Sequence, residues 1–148
     1  MLIDTLKSLF KRDLNKLKQE IEQYNQEDSM WLVEKTIENS AGNLCLHLIG
    51  NLNTYIGAEL GASGYIRNRD LEFSATHIPR AVLVEQIIET ASIVDKTLDN
   101  ITEEQLKADA TLQIFEKVVS TEYFLIHLST HLAYHLGQIN YHRRLLDK

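Results

Sequence analysis

A single cysteine, Cys45, rules out an internal disulfide, so packing alone must hold the fold, as expected of a protein in a reducing compartment. One proline and six glycines in 148 residues leave few interruptions to helix. No stretch approaches the roughly 20 consecutive apolar residues of a membrane span. The opening MLIDTLKSLFKRDLNKLKQEIE mixes charges with apolar residues from Asp4 onward, unlike the unbroken apolar region of a secretory signal. Positive charge is not in excess either. The 15 Lys and Arg are scattered among 21 Asp and Glu, and a net charge of -6 offers nothing to attract a phosphate backbone. These absences lead to the expectation of a cytoplasmic protein with neither nucleic acid nor membrane as a partner.

What is present is apolar content, 44% of the chain, enough for one core in a single domain over residues 1–148. The apolar residues recur at three-to-four spacing, which points to an all-α fold. Leu2, Leu6, Leu9, Phe10, Leu14, Leu17 and Ile21 form one stripe, a first helix ending near Tyr24. A polar connection follows, NQEDSMWLVEKTIENS, whose Trp31 is expected to pack on the bundle. Ser40 offers an N-cap oxygen to a second helix over about 40–60, which Gly61 and Gly64 are placed to end. GASGYIRNRDLEFSATHI is rich in turn formers and irregular in pattern, and is expected to be a long loop. Pro79 suits the start of a third helix, with Val82, Ile87, Ile88, Ala91, Val94 and Leu98 as its expected buried face. Thr102 is a candidate cap for a short turn, and Leu112 to Val119 read as extended. Ser120 then caps a fourth long helix. The expected architecture is a four-helix bundle with long inter-helix loops.

That last helix contains FLIHLSTHLAYHLGQINYHRR, four of the six histidines within sixteen residues. His127, His131 and His135 lie at i, i+4 and i+8, each one turn above the last and rotated by about 40°. His142 stays near the same face. Two imidazoles at i and i+4 can reach one metal ion, the spacing used on zinc-protease helices. A third ligand has to come from elsewhere, because such ions take at least three protein ligands. His47 supplies a candidate: it stands in the apolar run NLCLHLIGNL, with Asn43 and Asn51 one turn on either side making a narrow polar stripe. Burying polar groups without partners costs about 1–3 kcal/mol each, so that stripe requires a reason. Spacing alone leaves the pairs His127/His131 and His131/His135 equivalent.

The pattern of Ser40, AGNLCL and His47, followed far downstream by HLAYHLGQI from His131, resembles the DinB-like superfamily of four-helix metal-binding proteins. More narrowly, HLIGNLNTYIGAELG with YIRNRDLEF is similar to a domain-of-unknown-function, DUF1572-like branch of it, and the resemblance covers nearly the whole chain. It implies one divalent transition metal (zinc, nickel or iron) held by His47, His131 and His135. His127 then becomes an alternative or supporting group, and Gln138 a partner that hydrogen-bonds a ligand ring. Gly137 is expected to let its helix approach a neighbour. The resemblance also implies a homodimer and, by analogy only, a thiol-dependent transferase or isomerase.

Three neutral imidazoles leave open positions, so the site suits activation of water or of a small thiol. Arg67 and Arg69, in the loop that also carries Asp70 and Glu72, are candidates for holding an anionic substrate. The plainer expectation for that loop is a solvated connector with weak local ion pairs. Cys45 points about 200° away from His47 around the helix and is expected to be a small core residue. Two functional classes remain: a metal-dependent thiol transferase or hydrolase, and a non-enzymatic metal-binding stress-response or structural bundle that dimerises. A plain bundle without metal is the third reading.

Overall fold

The structure is a computed structural model, described here over residues 1–110 and 116–148. Among the described residues six α-helices follow one another: α1 (Leu2–Gln23), α2 (Ala41–Leu52), α3 (Arg69–Ser74), α4 (Arg80–Asn100), α5 (Glu103–Lys107) and α6 (Thr121–Leu146). α2 runs on through wider π-helical turns over Asn53–Leu60, which makes it the fourth long helix. Side chains close the helix starts where the sequence offered oxygens. Ser40 accepts from the Asn43 amide, Ser120 from that of Tyr123, and Thr102 forms a reciprocal capping box with Gln105.

Named contacts give the direction of each long helix. Lys7 pairs with Asp95 and Asp99, while Arg80 donates to the carbonyl of Tyr24, so α1 and α4 are antiparallel. Glu20 accepts from Asn140 and Arg143, so α1 and α6 run the same way. Asn53 meets Thr90 and Gly57 meets Ile93, which sets α2 parallel to α4. Among the long helices, α1 and α2 each pack on both α4 and α6. The order is therefore up-down-down-up, with α1 and α2 diagonal to each other. Diagonal neighbours cannot be joined by a tight turn, and this accounts for the long 24–40 connection. That connection includes a 3-10 turn at Glu27–Trp31, which lays Trp31 against Gly42, where a Cβ would come within 2.5 Å of the ring.

Three expectations need correction. The buried face of α4 is Leu83, Ile87, Thr90, Val94 and Leu98; Val82 and Ile88 are exposed, because the 83-87-90-94-98 series is the one in phase with the helix. The stretch 61–78 is not wholly loop, since Asn68 caps the short α3 by accepting from the Leu71 amide. Helix two does end at Gly61, its C-cap, but Gly61 is not left-handed; Ala62 (φ 51°) and Gly64 (φ 80°) take that conformation. Within the expected extended run Leu112 to Val119, residues 112–115 lie outside the described residues; Val119 accepts a hydrogen bond from the Ala110 amide beside an isolated bridge between Asp109 and Ser120.

Candidate metal centre

Two helices bring the key imidazoles together. α2 and α6 are antiparallel neighbours, so mid-helix His47 faces the middle of α6, while Tyr55 reaches Phe124 near its start. His47, His131 and His135 each offer a ring nitrogen, and the three atoms lie within 4.8 Å of one another. Among the described residues this is the only group of three or more His, Cys, Asp or Glu that can hold a metal ion.

Hydrogen bonding assigns the free lone pairs. His47 Nδ1 lies 3.2 Å from Glu72 Oε1. A carboxylate only accepts, so Nδ1 carries the proton and Nε2 is left bare. Arg67 Nη2 also lies 3.4 Å from Nδ1, but a nitrogen already donating to Glu72 cannot accept, so this is contact and not a bond. His135 Nδ1 sits 2.7 Å from Gln138 Oε1, which leaves its Nε2 unengaged by that bond. His47 Nε2 faces His131 Nε2 at 3.2 Å. Two nitrogens each about 2.0–2.1 Å from a tetrahedral zinc would stand about 3.3 Å apart. That pair of donors therefore fits an ion of that size, and the third, on His135, lies within 4.8 Å of both. Nδ1 of His131 is buried without a partner, a polar atom the chain alone does not satisfy.

Burial disfavours the charged form of His131 and His47. The His131 pKa is pushed down to about 4, first by burial and then by the neighbouring His135, His47 and His127. Burial also lowers that of His47, against the opposing pull of Glu72. Neutral imidazole is the form that binds metal.

The support around His47 comes from a direction the loop expectation did not foresee. Glu72 is 6% exposed, and Arg67 clamps its carboxylate with two bonds, Nε to Oε2 at 2.8 Å and Nη2 to Oε1 at 3.0 Å. The connector is thus no solvated strand with weak pairs; a buried carboxylate is tolerable there because its charge and lone pairs are met. Asn43 holds the segment in place by donating from Nδ2 to the carbonyls of Glu72 and Ala75. At Gly50 a Cβ would lie 1.9 Å from Glu72 Oε2, so only glycine admits the carboxylate against α2. Phe73 adds a ring 5.0 Å from that of His47. Glu72 was missed as a functional residue from sequence, yet two signals pointed toward it. Asn43 and Gly50 lie about 40° and 60° to one side of His47 on the helix, marking where another segment docks.

The other candidates fall elsewhere. His127 stacks with its ring centroid 6.4 Å from that of His131 and does not join the cluster of three. Asn51 is buried with an unpartnered Oδ1. Arg69, a candidate for holding an anionic substrate, lies over Phe73, and Arg67, the other, is engaged by Glu72. A Cβ at Gly137 would meet nothing within 4 Å among the described residues, so no close approach to a neighbouring helix requires glycine there. Cys45 is buried in the core, its thiol pKa pushed up to about 12 by burial. His142 is spent on structure. Its Nε2 donates to the Leu32 carbonyl at 2.8 Å, and its Nδ1 accepts from the Tyr24 hydroxyl at 2.7 Å.

The family model "Protein of unknown function (DUF1572)" matches residues 1–148. The chain belongs to the DUF1572 family. A solved structure, that of the conserved protein of a locus from Enterococcus faecalis, is similar to this DUF1572 member at a TM-score of 0.77. With 15% identity over 97% of this chain and 95% of that one, the likeness shows a shared fold. No curated protein matches the chain. No helix among the described residues is long and apolar enough to cross a membrane.

Proposed function

We propose that this DUF1572 protein is a divalent-metal-binding four-helix bundle of the DinB-like superfamily, with His47, His131 and His135 as ligands. The observation that carries the reading is the convergence of the imidazoles. Each offers a nitrogen within 4.8 Å of the other two, while Glu72 and Gln138 engage Nδ1 of His47 and of His135. A zinc, nickel or iron ion held by three neutral imidazoles retains open positions and supplies Lewis acidity toward water or a thiol.

The chain's own residues do the rest. Glu72 fixes the tautomer and plane of His47, and Gln138 does the same for His135. Arg67 neutralises Glu72, so that the site adds no net charge through that pair. α3 with Phe73 covers the His47 side against water. Such a site suits a thiol S-transferase or a hydrolase working in a homodimer. The alternative is a metal-binding stress-response or structural bundle that dimerises without turnover. Comparing metal-loaded with chelated protein, using a low-molecular-weight thiol plus an electrophile and separately a hydrolysable ester, decides between them. A metal-dependent rate supports the enzyme; equal rates remove it and leave the binding role.

A further inference from the structure

His135 borders a second feature of the molecule. A cleft of about 490 Å³ follows α6 from Tyr134, His135 and Gln138 to Tyr141 and Leu145, with the 36–39 segment along its other side. This is a volume in which a small molecule is buried. Its sides are mostly apolar: Leu145 is 72% exposed and Tyr141 63%, and Ile37 adds to the same surface. Among the described residues lining it the only formal charge is Glu38, and no Lys or Arg takes part. His142 also lines it, but both its nitrogens are engaged. Of the two imidazoles on the cleft, only His135 belongs to the triad.

Resting on the reading of the triad as a metal centre, we propose that this cleft is the ligand channel of that centre. Its occupant is an uncharged small molecule: an aromatic or aliphatic arm lies on Tyr134, Tyr141 and Leu145, and a nitrogen or sulfur donor reaches the ion beside His135. Among the described residues the cleft walls offer no Lys or Arg, and Arg67 is committed to Glu72, so nothing along the walls pairs with a charged arm and the part of the occupant that lies on them is uncharged. A second copy of the chain fits less well. The surface is concave and ends on a triad member, and a protein face would leave that end unfilled.

The test uses the full chain loaded with cobalt(II), read by the visible absorption of the ion. Imidazole and 4-phenylimidazole share one donor but differ by the arm. The cleft predicts that 4-phenylimidazole binds at least about tenfold more tightly than imidazole, since an arm buried on apolar walls contributes on that order. Tyr141→Ala with Leu145→Ala should bring the ratio down to about threefold or less. Equal affinities, or a ratio that survives both substitutions, overturn the cleft and leave the metal centre standing. No cobalt spectrum at all overturns the metal centre and the cleft with it. A Leu145→Arg variant that turns a dimer into a monomer while the ratio stays unchanged assigns the surface to a second copy, and this also overturns the proposal.

Discussion

His142 and the His47–His131–His135 cluster are histidines of one bundle, three of the four on a single helix, yet their nitrogens are used in opposite ways. Both nitrogens of His142 meet chain partners, Tyr24 on α1 and the carbonyl of Leu32 in the connection, so the ring ties α6 to two other segments. In the cluster, each ring has at most one nitrogen satisfied by a carboxylate or amide, and each offers one nitrogen to a group lying within 4.8 Å. Burial alone does not separate the two kinds, since it lowers the pKa of His142, His47 and His131 alike. What distinguishes a candidate ligand from a lock is a lone pair for which the chain provides no hydrogen.

That contrast breaks first at the lock. His142→Ala removes two buried hydrogen bonds and most of a buried ring, and is expected to cost about 2–4 kcal/mol of stability. Urea unfolding measures this, and metal affinity should stay within about twofold once the folded fraction is allowed for. A larger change in affinity would make His142 part of the centre. Next comes Glu72→Ala, which leaves the His47 Nδ1–H unpaired and Arg67 without its counter-charge; metal affinity is expected to fall about 10- to 100-fold. Competition with a chelator reads that change, and Glu72→Gln, which retains an acceptor, should recover part of it. Smaller still is Gly50→Ala. Its Cβ would collide with the Glu72 carboxylate, so affinity should fall in the same direction but by about tenfold or less, as the side chain shifts aside.

The mildest probe is pH. The folded-state pKa of His131 is near 4, below the value of about 6.5 in the unfolded chain, so between these values the unfolded state binds more protons. Stability of the metal-free protein is therefore fully present above pH 6.5 and declines as pH falls toward 4. His131→Gln should flatten that slope. A metal-free protein whose stability is level between pH 6.5 and 4 would show that the His131 ring is not buried neutral.

The same contrast explains what could be read from sequence. Four long helices, the caps at Ser40, Thr102 and Ser120, and the spacing of the histidines are local properties, carried by neighbours one or two turns apart. α3 was not legible as helix: six residues cannot show a periodic stripe, and its cap Asn68 sits among turn formers. Nor was the burial of Glu72, because a carboxylate and an arginine five residues apart look the same whether they face solvent or line a site. The π-helical widening of Asn53–Leu60 changes hydrogen bonding without changing the apolar pattern. On α4, Val82 and Ile88 were misassigned to the core because an apolar side chain is common on a surface. The distinct role of His142 depends on Tyr24 and Leu32, more than 100 residues away in the chain.

The most direct test of the central claim is the metal content of purified protein beside a His47→Ala, His131→Ala, His135→Ala triple variant, with helical circular dichroism confirming that both are folded. The account predicts about one zinc, nickel or iron ion per chain in the wild type and almost none in the variant. A wild type that carries no more metal than the variant would contradict it.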